Sequence, residues 1–183
     1  MNRSPRDSPL APALEAAAWL NTDRALTLEG LRGQIVLLHA FQMLCPGCVS
    51  HGLPQAARAF DQFGPRGLVV IGLHTVFEHH AVMGEDALAA FVHEYRWRFP
   101  IMIDQPSSSG PVPRTMARYG WRGTPTTVLI DRTGHVRLNH FGHLDDLSLG
   151  AAIGHLLAED ASAPEARTPE AARSGTCTPL GRG

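Results

Sequence analysis

Ile35-Val36-Leu37-Leu38-His39-Ala40-Phe41, followed three residues later by Cys45-Pro46-Gly47-Cys48, is the stretch from which the fold is read. Seven residues, all but one apolar, suit a strand buried on both faces of a sheet. The residues after Cys48 can form a helix, and a CxxC at a strand-to-helix junction reads as a redox dithiol. The spacing serves that chemistry. A first cysteine at a helix N-terminus meets the positive end of the helix dipole and unpaired N–H groups, which favour thiolate over thiol. The second, one turn on, can attack the mixed disulfide that the first forms.

Outward from this junction, short β-type runs alternate with longer helical patterns, as in strands joined by crossover helices. A helix is expected from Pro46 to Phe63, kinked near Gly52 and Pro54, because proline lacks the helical N–H and crowds the preceding turn. Gly67 to His74 reads as a second buried strand, and Glu85 to Trp97 as an amphipathic helix with Leu88, Phe91, Val92 and Tyr95 on its apolar face. Ile101 to Ile103 is a short strand and Val112 to Tyr119 a short helix. Thr126 to Asp131 and His135 to Phe141 make a hairpin around Arg132-Thr133-Gly134, and Leu144 to Leu157 a closing helix. The expected architecture is α/β, a three-layer sandwich with a mixed central sheet. One domain spans residues 14–158, with a flexible N-terminus over 1–13 and a disordered tail over 159–183, both rich in small residues and proline without apolar periodicity.

Composition narrows the function classes. The 183 residues are 44% hydrophobic, within the globular range, and long enough for one sizeable core. Sixteen basic residues, all arginine, balance 17 acidic ones to a net charge of −1, so neither nucleic acid nor an acidic membrane is implied as a partner. Three cysteines cannot build a disulfide framework of the kind that staples small secreted domains. No apolar run reaches membrane-spanning length and no h-region follows Met1, which gives the expectation of a cytoplasmic protein without membrane insertion.

From Trp19 to Leu157, the order of elements, with Cys45-Pro46-Gly47-Cys48 early and Gly123-Thr124-Pro125-Thr126 late, resembles the thioredoxin fold. It is most similar to the TlpA-like thiol-disulfide oxidoreductases. Trp19-Leu20-Asn21 and Leu26 to Gly33 resemble that family's N-terminal extension, a short hairpin ahead of the first core strand. Val128 to Gly134 resembles its penultimate hairpin. The segment from Gly72 to Pro100 is similar to the branch found as a domain of DipZ-type proteins. The resemblance implies that Pro125 is a cis-proline lying against the dithiol, where Thr124 and Pro125 hold an extended substrate backbone. Leu44, standing where many members have tryptophan, and Pro46 would line the same substrate-binding surface.

Under this reading Cys45 is the attacking thiolate and Cys48 the resolving thiol. The redox-active disulfide Cys45–Cys48 serves in place of any cofactor, and no metal is required. The partners are a disulfide- or dithiol-containing protein or small molecule and an unidentified thiol reductant. His39 lies six residues before Cys45, where thioredoxins commonly carry a buried acid, and a neutral imidazole there could accept the proton of Cys48. A histidine satisfied within the core is the competing reading. Glu78 could relay protons at the site, or be a solvated loop carboxylate, the commoner fate of glutamate. Cys177 is read as an incidental thiol.

Two other functions compete. A peroxiredoxin-like peroxidase needs Pro-x-x-x-Thr-x-x-Cys, but counting back from Cys45 gives Gln42 and Leu38, and from Cys48 gives Cys45 and Phe41. A thioredoxin-fold copper or zinc module would use the two thiols with His51, His74 or His79, although a zinc site usually takes four ligands and no second CxxC exists.

Overall fold

The computed structural model describes residues 8–159. Ile35–Phe41 forms β2, with all seven residues buried, and it lies near the middle of a six-stranded sheet whose order is β1 (Ala16–Leu20), β4 (Ile101–Asp104), β3 (Leu68–His74), β2, β5 (Thr126–Ile130) and β6 (Val136–Phe141). Its neighbours are β3 (Leu68–His74), parallel, and β5 (Thr126–Ile130), antiparallel. Beyond β3 lies the parallel β4 (Ile101–Asp104), and beyond β5 the antiparallel β6 (Val136–Phe141). The run of apolar residues in β2 is thus explained by paired strands on both edges and covered faces on both sides.

Alternation along β2 divides the core. Ile35, Leu37 and Phe41 pack against α1 (Leu53–Phe63), α2 (Glu85–Glu94) and α4 (Asp146–Glu159). Val36, Leu38 and Ala40 face Met116 of α3 (Arg114–Tyr119), Trp121 and Leu28 on the other side. This is the three-layer α/β sandwich with a mixed central sheet that the sequence implies. Gly72 of β3 lets the strands close up: a Cβ there would lie 2.6 Å from Ile101 Cδ1 and 2.9 Å from Phe99 Cε2.

The N-terminal segment departs from expectation in two ways. Among the described residues, no hairpin precedes β2. Instead β1 (Ala16–Leu20) crosses to the far edge of the sheet and pairs antiparallel with β4, Trp19 opposite Met102 and Leu20 opposite Ile101. Residues 26–33 form turns rather than a strand, partly closed on themselves and partly tied to the distant β5–β6 turn, where Gly33 N–H donates to Arg132 O at 2.9 Å. Leu31 N–H donates to Thr27 O, and Gly30 N–H to the Thr27 hydroxyl at 3.0 Å. Joining β1 to β4 also covers an edge that would otherwise present unpaired groups.

The second departure is at residues 9–12, within the segment expected to be flexible. Leu10 bridges to His135, Ala11 N–H donates to Gly134 O, and Val136 N–H donates to Pro9 O. The turn of the β5–β6 hairpin supplies these partners, and Tyr119 Oη donates to Pro12 O at 2.9 Å. The tail over 160–183, with Cys177, lies outside the described residues, as do residues 1–7.

The kink expected near Gly52 and Pro54 takes a specific form. Residues 48–52 make one π-turn ahead of α1, in which Leu53 N–H donates to Cys48 O. Pro54 has no N–H to offer the carbonyl of Ser50, so a wider turn replaces the α-helical one. The irregular turn falls directly after the CxxC.

Candidate functional site

The dithiol sits where β2 ends and the helix begins. The loop is held by Cys45 N–H donating to Gln42 O, and the helix is started by Val49 N–H donating to Cys45 O. Cys45 and Cys48 are joined as a disulfide, with Cα atoms 5.2 Å apart. Their exposures differ in the sense that the chemistry needs. Cys45 is half-buried, whereas Cys48 is wholly buried against the Leu37–Phe41 face of the sheet. An incoming disulfide therefore meets Cys45 first.

The environment of Cys45 favours negative charge on sulfur. Cys48 N–H donates to Cys45 Sγ at 3.2 Å, a backbone donor at the start of the helix. Such donors, with the helix dipole, lower a thiol pKa. On the other side, Thr124 O lies 3.6 Å from Cys45 Sγ. That carbonyl can accept the thiol hydrogen in the reduced, protonated state.

Thr124–Pro125 is a cis peptide bond. Pro125 lies over the CxxC: a Cβ on Gly47 would stand 3.6 Å from its Cδ, and one on Gly52 3.5 Å from its Cβ. Thr126 Oγ1 donates to Gly123 O at 2.7 Å, and Gly142 N–H to Pro125 O at 2.8 Å, which ties the loop to the end of β6. Around this edge Pro46 is exposed, Leu44 is 57% exposed and Phe141 is 47% exposed with Arg122 over its ring. Leu44, Pro46, Thr124 and Pro125 thus surround one partly open sulfur. Trp97 and Trp121, which could have joined Phe141 in an apolar platform, pack into opposite layers of the core.

His39 is 2% exposed and sits on the same face of β2 as Leu37 and Phe41, the face that covers Cys48. Its Nδ1 is 3.3 Å from Thr127 Oγ1, and its buried Nε2 has no hydrogen-bond partner. Burial pulls its pKa down to about 4, so the ring is neutral at physiological pH. The ring edge that carries Cε1 and Nε2 fills the space where a side chain on Gly52 would project. Gly52 lies one turn beyond Cys48, so the imidazole borders the turn that carries the resolving thiol.

Glu78 is exposed, and its Oε1 accepts a hydrogen bond from Gln42 Nε2 at 3.3 Å. Gln42 itself is only 2% exposed, and its Oε1 accepts from Phe77 N–H at 3.4 Å. Glu78 therefore connects to the dithiol loop through Gln42. Sequence reasoning overlooked Gln42; its only signal was an amide directly before the CxxC loop, and its partners lie 35 and 36 residues away. The same residue occupies the threonine position of the peroxidase motif, where it presents an engaged amide and no hydroxyl.

The histidines considered as metal ligands are scattered. His51 is exposed and its ring meets that of His143 edge-on at 5.1 Å, while His74 is buried beside Phe41 in β3. His79 is exposed, with a left-handed backbone at φ 51°. Among the described residues, no three His, Cys, Asp or Glu side chains converge as a metal site. Nor, among them, is any helix long and apolar enough to cross a membrane.

Comparison with known proteins agrees with this geometry. The model of the AhpC/TSA family matches residues 10–139. Protein DipZ of Mycobacterium tuberculosis (strain CDC 1551 / Oshkosh) is 31% identical over 173 residues, covering 92% of this chain and 23% of DipZ. The thiol-disulfide oxidoreductase ResA of Halalkalibacterium halodurans is 26% identical over 122 residues, covering 67% of this chain and 62% of ResA. Among solved structures, a thiol-disulfide isomerase from Corynebacterium glutamicum superimposes with a TM-score of 0.79 at 43% identity, over 84% of this chain and 98% of that one. The chain spans less than a quarter of the length of the DipZ relatives it matches.

Proposed function

The chain belongs to the AhpC/TSA family, as a TlpA-like thiol-disulfide oxidoreductase of thioredoxin fold, and from that premise we propose how its residues divide the work. Cys45, as thiolate, attacks one sulfur of a substrate disulfide. A Cys45–substrate disulfide forms, and the other substrate sulfur leaves as a thiolate that takes a proton from solvent. Cys48 then loses its proton and attacks Cys45 Sγ, which releases the second substrate thiolate and closes the Cys45–Cys48 disulfide. Two electrons pass from the dithiol to the substrate. A thiol reductant returns them by the same exchange in reverse.

The observation that carries this assignment is the asymmetry of the pair. Cys45 is open to an incoming disulfide, receives the Cys48 N–H and lies beside Thr124–Pro125, whereas Cys48 is closed off behind it. Thr124 and Pro125 present the backbone edge along which an extended substrate lies, and Leu44 and Pro46 give the opposite rim. His39, neutral in its buried setting, is the candidate hydrogen-bond acceptor for the Cys48 thiol as it gives up its proton. Its Nε2, which has no hydrogen-bond partner, borders the Cys48–Gly52 turn. Glu78, through Gln42, connects solvent to the dithiol loop. The substrate class is a disulfide in an exposed polypeptide segment or a small molecule.

Direction follows from the potential of the pair and the poise of its compartment. In the cytoplasm a glutathione poise keeps such a pair mostly reduced and the protein works as a reductant, whereas an oxidising compartment reverses the flow. A Cys48→Ser variant tests the division of roles. It should accumulate a mixed disulfide through Cys45 when given an oxidised substrate such as insulin, detectable by intact mass. Cys45→Ser should form none and show no turnover. Trapping through Cys48 in place of Cys45 would reverse the assignment.

A further inference from the structure

The loop that ends in the cis-proline carries a cation that the exchange of thiols does not use. Arg122 is exposed and holds its guanidinium 5.2 Å from the centroid of the Phe141 ring. That ring lies in turn on Gly123, where a Cβ would stand 3.1 Å from Phe141 Cε2 and push the ring away. Phe141 sits opposite Thr126 in the β5–β6 ladder, and Gly142 N–H donates to Pro125 O at 2.8 Å. The bonds that fix the cis-proline loop therefore also fix the seat of Arg122. Thr124, two residues further on, brings its carbonyl to 3.6 Å from Cys45 Sγ, and two residues of chain span at most about 7 Å.

The guanidinium is held in place without being neutralised. Arg58, Arg98, Arg114, Arg118 and Arg137 each meet a carboxylate, whereas among the described residues Arg122 makes no hydrogen bond or ion pair. The carboxylates that follow Phe141 in the chain are committed elsewhere. Asp145 accepts from Ser148 N–H, and Asp146 from Gln55 and Arg58. Stacking on an aromatic face orders an arginine and leaves its N–H edges to a planar acceptor, and a side chain already ordered loses less on binding. Glu78, bonded to Gln42, follows β3, on the other side of β2 from β5 and β6. The rim of the dithiol is thus polarised, positive beyond Pro125 and negative beyond Gln42.

A disulfide docked at Cys45 meets this fixed cation on one flank. Resting on the reading of Cys45 as the attacking sulfur, we propose that Arg122, seated on Phe141, is a specificity-determining residue that selects disulfides carrying a carboxylate on the Pro125 flank. The carboxylate pairs with the guanidinium edge that the stack leaves open. Two sources carry that group: an acidic side chain beside a cystine in a polypeptide, or the carboxylate of a small disulfide. The exchange itself is unaltered, with electrons and protons moving between the dithiol and the substrate as described for Cys45 and Cys48.

The test mixes the full chain, reduced to the dithiol, with matched pairs of disulfides and follows closure of the Cys45–Cys48 disulfide by alkylation and mass. One pair is 3,3′-dithiodipropionate and bis(2-hydroxyethyl) disulfide; the other is two cystine peptides that differ only in glutamate or glutamine beside the cystine. The readout is the ratio of second-order rate constants within each pair, charged over neutral, so the intrinsic reactivity of each disulfide cancels between protein variants. Arg122→Gln should lower the ratio by roughly two- to fivefold, the range of one exposed ion pair, and raising salt to about 1 M should shrink the effect. Arg24→Gln, which removes the same charge near the amino ends of β2 and β3, should leave the ratios as they are. An effect confined to the peptide pair or to the small pair identifies the source of the carboxylate. Ratios that Arg122→Gln leaves unchanged in both pairs, or that Arg24→Gln lowers equally, overturn the role of Arg122. Closure of the wild-type pair by bis(2-hydroxyethyl) disulfide reports on the dithiol by itself, so a failure of the dithiol reading and a failure of the carboxylate preference are told apart.

Discussion

Replacing Gly52 by alanine separates local preference from tertiary packing. The backbone at Gly52 is ordinary right-handed helix, φ −64° and ψ −51°. By local preference alone the substitution should therefore stabilise the protein, by about 1 kcal/mol. The structure predicts the opposite. The new Cβ would fall on Cε1 and Nε2 of His39 and stand 3.5 Å from Pro125 Cβ. His39 has nowhere open to go, because every residue of β2 is buried and its Nδ1 is engaged by Thr127 Oγ1. Overpacking of this kind costs about 1–3 kcal/mol, and displacing the imidazole forfeits about 1 kcal/mol more in hydrogen bonding. After the helix gain, a net loss of about 1–3 kcal/mol remains, which in urea lowers the unfolding midpoint by roughly 0.5–1.5 M at an m-value of about 2 kcal/mol/M. His39→Ala removes the obstacle. In the double variant the two substitutions should couple favourably by about 1–2 kcal/mol, since the alanine methyl enters space that the imidazole has left. A higher midpoint for Gly52→Ala alone, or strict additivity of the two changes, would refute the argument.

Acid should weaken the fold through the buried histidines. His39 and His74 are both held at about 4 by burial, so between that value and 6.5 the unfolded chain binds protons that the folded one refuses. Their contribution is fully present above pH 6.5 and is lost as pH falls toward 4, at up to about 3 kcal/mol for each ring. Urea midpoints at pH 7.5 and 5 check this, and His74→Phe should flatten its share of the slope. Asp104→Ala leaves the Thr115 and Met116 N–H groups and the Thr75 hydroxyl unpaired in the interior. A loss of about 3–5 kcal/mol is expected. The midpoint potential of the dithiol, measured on the folded fraction, should not change.

What could be read from the sequence was what depends on neighbours in the chain. The apolar run 35–41, the CxxC after it and the proline at 54 determine a buried strand, a redox turn and a helix irregularity within 20 residues of one another. The Arg132-Thr133-Gly134 hairpin is equally local. What escaped depends on distant partners. Residues 16–20 join β4, more than 80 positions away, because an edge strand there needs covering, and no pattern within 16–33 announces it. Residues 9–12 look like a loose proline-rich leader until the turn at 131–136 offers its carbonyls and N–H groups. At the site, the two cysteines and Pro125 were legible from motif and resemblance. The fit of Gly52 around His39, the amide bridge of Gln42 and the unpartnered Nε2 of His74 were not. Each arises from side chains brought together across the sheet, and burial sets their protonation only once the sheet exists.

The central claim is that Cys45 and Cys48 form a working redox couple. Its most direct test is the equilibrium of the pair against graded dithiothreitol or glutathione buffers, read by thiol alkylation and mass, with Cys177 replaced by serine. The account predicts one reversible two-electron transition between dithiol and intramolecular disulfide, in which each tenfold change in the equilibrium constant corresponds to about 30 mV. A pair that stays as two thiols, or as an unreducible disulfide, across every poise would contradict it.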